Sequence, residues 1–176
     1  DTNWNGFEDI IFTIDDQNLR ITDSDTVRVN VLAVNDAPVI TALDSVSIDE
    51  DNVATVNLSA TDIENDDLTY SVSSAESNVT ATVSDNTLTL TPADDWNGTA
   101  EITVFVNDGF LSDTTSFVLT VTPVNDAPEI MLPDSMEFSE DGLLTIDFTP
   151  YLNDIDSDTS LGLTASGNNH IDVAIE

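Results

Sequence analysis

The stretch NGTAEITVFVNDGFLSDTTSFVLTVTPVNDAP, Asn97–Pro128, decides the fold of this chain. Its apolar residues fall at every second position, Ile102, Val104 and Val106 in one run and Phe117, Leu119 and Val121 in the next. Side chains of an extended backbone alternate between two faces, so each run is a strand with one face in a core and one in water. A helix would need a spacing of three or four, and no such stripe competes. Asn97-Gly98 reads as a tight hairpin turn, because both residues tolerate positive φ.

Working outward from this stretch, the same alternation recurs. Val46 and Ile48 mark a short first strand; Val53, Val56 and Leu58 mark a second, and Leu68, Tyr70 and Val72 a third. Val79, Ala81 and Val83 give a fourth, and Leu88 and Leu90 a fifth. With the two runs above this makes seven strands in about 90 residues, separated by Asp, Asn, Gly and Pro. The expectation is all-β: Greek-key seven-stranded β-sandwiches with apolar residues inside and Thr, Ser and Asp outside.

The chain also repeats itself. VNDAP stands at Val34–Pro38 and Val124–Pro128, and WNG at Trp4–Gly6 and Trp96–Gly98. The pair Glu50-Asp51 returns as Glu140-Asp141, and the acids Asp62, Glu64 and Asp66 return as Asp154, Asp156 and Asp158. All four markers share a period of about 90 residues, the signature of a tandem array. The expected organisation is the end of one repeat at 1–34 with two strands, a complete repeat at 39–126, and the start of a third at 129–176 with four strands. The partial repeats suggest completion by neighbouring repeats or by head-to-tail copies of the chain. The first residues, DTNWNGFED, lack a signal peptide's basic and apolar regions, and the chain reads as an internal segment of something longer.

Composition limits what the array can do. Thirty-five acidic residues face two basic ones, for a formal net charge of −33. Two carboxylates about 4 Å apart repel by roughly 4 kcal/mol at an effective dielectric near 20, so clusters of them call for a cation, solvent or high salt. Nucleic acid and anionic membrane surfaces are excluded as partners. No apolar run is long enough to span a membrane. Cysteine and lysine are both absent, so neither a disulfide nor a Lys–Asn isopeptide bond can brace the array.

In an extended segment Asp62 and Glu64 face the same way, and flexible loops of Asp, Glu, Asn and carbonyl oxygens are what a calcium ion takes as ligands. An EF-hand is excluded, because it needs glycine at loop position six and glutamate at twelve. Here those positions are Asp67 and Ser73, or Thr159 and Ala165. Nothing matches a nucleophile elbow, a phosphate-cradling loop or a zinc motif, and His170 stands alone, so the chain reads as a non-enzyme.

The segments VSIDEDNVATVNLSATDIENDDLTYSV, VFVNDGF and LTVTPVNDAPEI resemble the cadherin-like tandem repeats of large bacterial surface adhesins. The resemblance implies a seven-stranded Greek-key sandwich with calcium between successive domains. At the 124–128 junction it implies ligands at Glu50, Asp94 or Asp95, Asn125, Asp126, Asp154 and Asp156. At the 34–38 junction it implies Asn35, Asp36, Asp62, Glu64 and Asp108, with Asp16 the counterpart of Asp108 in the first fragment. Where the family linker opens with aspartate, this chain has Leu32-Ala33 or Thr122-Pro123, and it carries one asparagine fewer before Ala-Pro. That implies fewer ions per junction than the family's three.

The expected function is a calcium-rigidified structural extender, extracellular or at a cell surface. One alternative is a fibre- or sheath-forming matrix protein assembled through complementary half-repeats. Another is a carbohydrate-binding module, in which Trp4 or Trp96 would stack on cell-surface glycans. Both tryptophans, each next to a turn, read more simply as the edge of the core.

Overall fold

The computed structural model describes residues 2–17, 22–156, 161–167 and 170–175. Among them the protein is all-β, with no α-helix. The alternation at 39–122 folds as a β-sandwich. One sheet is built from β4 (Val46–Asp49), β11 (Ser112–Thr122), β10 (Gly98–Asn107) and β7 (Thr69–Ser74), hydrogen-bonded in that order. The other holds β5 (Ala54–Asn57), β9 (Thr87–Pro92) and β8 (Val79–Ser84), also in that order. The first and second expected strands are each broken in two. Their other halves, β3 (Val39–Ile40) and β6 (Ala60–Thr61), form a short antiparallel pair of their own.

The core lies between the sheets. Leu88 and Leu90 of β9 face Ile102, Val104 and Val106 of β10 and Leu119 of β11, and all six are fully buried. Each such side chain contributes about 1.5–3 kcal/mol relative to exposure. Val53, expected inside the second strand, is exposed and precedes it. The chain turns at Glu50 and Asp51, where Asp51 takes φ +61°, and the strand begins only at Ala54.

Asn97-Gly98 is not the hairpin turn expected. The turn falls at Asp94 and Asp95, with Asp95 at φ +55°, and the chain then crosses from β9 in one sheet to β10 in the other. Gly98 is required for a different reason. At φ +152° a Cβ there would sit 2.8 Å from Cζ2 of Trp96, which packs against the core.

On the N-terminal side, β1 (Gly6–Asp15) and β2 (Thr22–Val31) make an antiparallel hairpin. Its register repeats that of β10 and β11: Gly6 opposes Val31 as Gly98 opposes Val121, and Ile10 opposes Val27 as Ile102 opposes Phe117. The side chains corresponding to the buried core face are uncovered here, Phe12 at 61% against Val104 at 0%.

Beyond residue 128 the expected four strands are not formed among the described residues. Only β12 (Glu129–Ile130) pairs with β13 (Leu152–Asn153), after a 3₁₀ turn at Thr149–Tyr151. This pair matches β3 with β6. In the complete sandwich the next strand, β4, exists by pairing in parallel with β11, and β7 by pairing with β10. Among the described residues no counterparts of β10 and β11 pair with 129–153, so the alternating pattern there joins no ladder.

Candidate metal centre

The end of the sandwich facing the 124–128 linker is assembled from four places in the chain. The parallel ladder between β4 and β11 continues one step past the strands, where the Glu50 N–H donates to the Thr122 carbonyl at 2.9 Å. This seats Glu50, only 3% exposed, beside the emerging linker. One of its oxygens accepts the Val124 N–H at 2.6 Å, and the other accepts the Asn97 amide at 3.4 Å. Asp51 follows in the left-handed region, which Asp tolerates better than most residues. Its Oδ1 accepts the Asp95 N–H at 3.0 Å, tying the turn before β10 to the turn after β4.

The linker is folded by its own amide. Asn125 Nδ2 donates to the Asp126 carbonyl at 2.7 Å, and the Asp126 N–H donates to Asp156 Oδ2 at 2.6 Å. Asp154 stands one step back, accepting the Asp156 N–H at 3.0 Å. Two sets of three carboxylates result, Glu50 with Asp126 and Asp156, and Asp51 with Asp95 and Asp126. Within each set the oxygens lie within 4.8 Å of one another, and Asp126 belongs to both.

Electrostatics marks the same place. Desolvation pushes the Asp95 carboxyl up, and the charges of Asp51, Asp94, Glu50 and Asp156 add to it. Desolvation likewise raises Asp126, with Asp95, Asp156, Asp51 and Glu50 adding to it. The donors are all oxygens, the ligand type of a hard cation. Two oxygens each about 2.4 Å from one calcium ion are at most about 4.8 Å apart, so the two sets fit calcium in chemistry and in spread.

At the 34–38 linker the local geometry repeats. Asn35 Nδ2 donates to the Asp36 carbonyl at 2.9 Å, and the Asp36 N–H donates to Glu64 Oε2 at 3.2 Å. Asp62 Oδ1 accepts the Asp66 N–H, while Oδ2 is buried with no hydrogen-bond partner among the described residues. A cleft of about 220 Å³ lies here, lined by Asn3, Trp4, Asn5, Leu32, Ala33, Val34, Asp36 and Glu64. Asn3, at φ +62°, occupies the place of Asp95 in the repeat. No set of three carboxylates forms at this linker among the described residues.

Glu50, Asp95, Asp126 and Asp156, named from sequence, therefore meet in space. Asp36 meets Glu64, and Asp108 meets Asn35. Asp94 belongs to neither set, and its charge adds to the rise at Asp95. Asp154 supports Asp156 and joins neither set; Asn35 and Asn125 use their amide N–H groups to shape the linkers. Asp158 lies outside the described residues. Asp51 was missed, although Glu50-Asp51 and Glu140-Asp141 repeat at the period and Asp51 and Asp141 share the left-handed conformation. His170 is exposed. With Trp96 against the core, Trp4, 42% exposed, is the tryptophan with a face open to solvent.

Residues 35–122 match the family described as bacterial Ig domain. Among solved structures, the EC1-2 fragment of human protocadherin-24 is similar at 24% identity, covering 55% of this chain and 48% of that one, with a TM-score of 0.41. Titin domain M7 matches at 19% identity over 51% of this chain and 97% of its own, with a TM-score of 0.36. An endo-fucoidan hydrolase of glycoside hydrolase family 107 matches at 23% identity over 70% of this chain, with a TM-score of 0.39. The chain spans 21% of that hydrolase's length. No curated protein matches the chain.

Proposed function

The chain belongs to the bacterial Ig domain family, and from this we propose that it is a segment of a tandem extender in a secreted or cell-surface protein, stiffened by calcium where one sandwich meets the next. What carries this reading is the convergence of carboxylates at the 124–128 linker. Glu50, Asp51 and Asp95 come from the sandwich, Asp126 from the linker, and Asp156 from the segment beyond it. The two sets would each hold an ion, with Asp126 shared between them, and the positive charge would let the carboxylates share a space from which their mutual repulsion otherwise drives them. Asn125 and Asp154 preset the approach of Asp126 and Asp156. At the 34–38 linker Asp36, Asp62 and Glu64 would serve, with Asn3 in place of one acid.

Extracellular calcium modules bind at about 10⁻⁴–10⁻³ M, so the linker would be rigid outside a cell and loose inside one. Titrating the full chain with calcium should raise its melting temperature with a midpoint in that range. Asp126→Asn, which touches both sets, should remove most of the gain. A melting curve identical in calcium and in chelator defeats the reading.

A second reading is favoured by the uncovered face of β1 and β2. That face matches the half-core of β10 and β11 and calls for the strands that cover them in the complete sandwich. If those strands come from a neighbouring copy, the chain is a fibre or sheath subunit. Light scattering should then show mass rising with concentration, and a constant monomer mass speaks against it.

A further inference from the structure

The two linkers differ in one contact that owes nothing to a metal. Asn35 uses both amide N–H groups, one on the Asp36 carbonyl and the other on Asp108 Oδ2 at 2.8 Å. Asp108, 7% exposed, sits in the loop between β10 and β11. Its Oδ1 accepts the Phe110 N–H at 2.7 Å and the Leu111 N–H at 2.6 Å. Three N–H groups thus occupy three of the carboxylate's roughly four lone-pair sites, and no metal is needed to hold it in place. The loop is also closed from within. Asn107 Oδ1 accepts the Gly109 N–H, and Asn107 Nδ2 donates to the Leu111 carbonyl and to Ser112 Oγ. A second carboxylate of the same loop end, Asp113, accepts the Ile40 N–H at 2.9 Å and the Thr114 N–H at 2.8 Å. Pro38, buried between the two anchor points, limits the backbone further.

We propose that Asn35 and Asp108 form a metal-independent clamp, which with the Asp113–Ile40 bond fastens the 34–40 segment to the β10–β11 loop whether or not divalent cations are present. Asp108 is then a positioning residue of the linker. The clamp does not depend on the calcium reading of the other linker. At that linker Asn125 is exposed, and its amide donates only to the Asp126 carbonyl among the described contacts.

The full 176-residue chain tests this by backbone hydrogen exchange of residues 34–42, in calcium and in chelator. Asn35→Ala removes the clamp but leaves the loop's own bonds. It should speed exchange by about tenfold or more, equally in both conditions, since a hydrogen bond to a buried charge is lost in each. The exchanged pair Asn35→Asp with Asp108→Asn reverses the bond. The amide then at position 108 donates to the carboxylate at position 35, while its oxygen still accepts from Phe110 and Leu111, and much of the protection should return. An effect of Asn35→Ala seen only in calcium, or none in chelator, overturns the clamp. So does failure of the exchanged pair to recover protection lost on Asn35→Ala.

Discussion

At the residue scale, carboxylates at the two ends of the sandwich are in opposite electrostatic states. Asp108 is held below the ordinary carboxyl value of 3.8 by the Asn35 amide and the Leu111 and Phe110 N–H groups, and Asp113 by the N–H groups of Ile40 and Thr114. Their contribution to stability is present above 3.8 and lost as pH falls through their depressed values. Asp95 and Asp126 are raised by desolvation and by each other's neighbours, so their contribution runs the other way. It is present below 3.8 and lost as pH rises through their elevated values. In chelator, acidification from neutral pH should first raise protection from hydrogen exchange, measured against the intrinsic rate at each pH, at residues 122–126. Protection at 34–40 should fall only below about 3.8. Parallel responses at the two linkers would contradict this assignment.

At the scale of elements, packing separates two hairpins of identical register. β10 and β11 are flanked by β4 and β7 in their own sheet and covered by the sheet that holds β9, whereas β1 and β2 have no second sheet among the described residues. A two-stranded hairpin is marginal by itself. Amides of Gly6–Asp15 should therefore exchange about a hundredfold or more faster than those of Gly98–Asn107, a gap set by local against global opening. Within the sandwich, Leu90→Ala should cost about 2–5 kcal/mol in urea unfolding, because β9 sits centrally between β5 and β8 and the cavity has no solvent edge. Gly98→Ala should cost about 1–3 kcal/mol through its clash with the Trp96 ring, and Gly6→Ala less, since the nearest Trp4 atom is 3.4 Å away.

At the scale of the whole molecule, a net charge of −33 is carried by one complete sandwich and the segments on either side of it, with no disulfide to brace them. On the proposed reading stiffness resides at the linkers, one clamped by hydrogen bonds and the other crowded with acids. Small-angle scattering should show the 176-residue chain lengthening on calcium addition and relaxing on chelation. In Asp126→Asn that response should shrink to a small remainder. A maximum dimension unchanged by calcium would place the stiffness elsewhere.

Alternation at Ile102–Val106 and Phe117–Val121 and the period of about 90 residues were legible in the sequence, because both are read directly from the order of residues. The same is true of the acids that recur with the linkers. Tertiary structure decided which of those acids meet. Glu50 reaches Val124, 74 residues on, because β4 runs parallel to β11, and Asp95 reaches Asp51 because the chain crosses between sheets where a hairpin was expected. Asp51 joined the site, where its Oδ1 accepts the Asp95 N–H, and Asp94 belongs to neither set. Among the described residues beyond 128 the strand pattern stands without most of the strands, for a strand exists only with a partner to complete its hydrogen bonds.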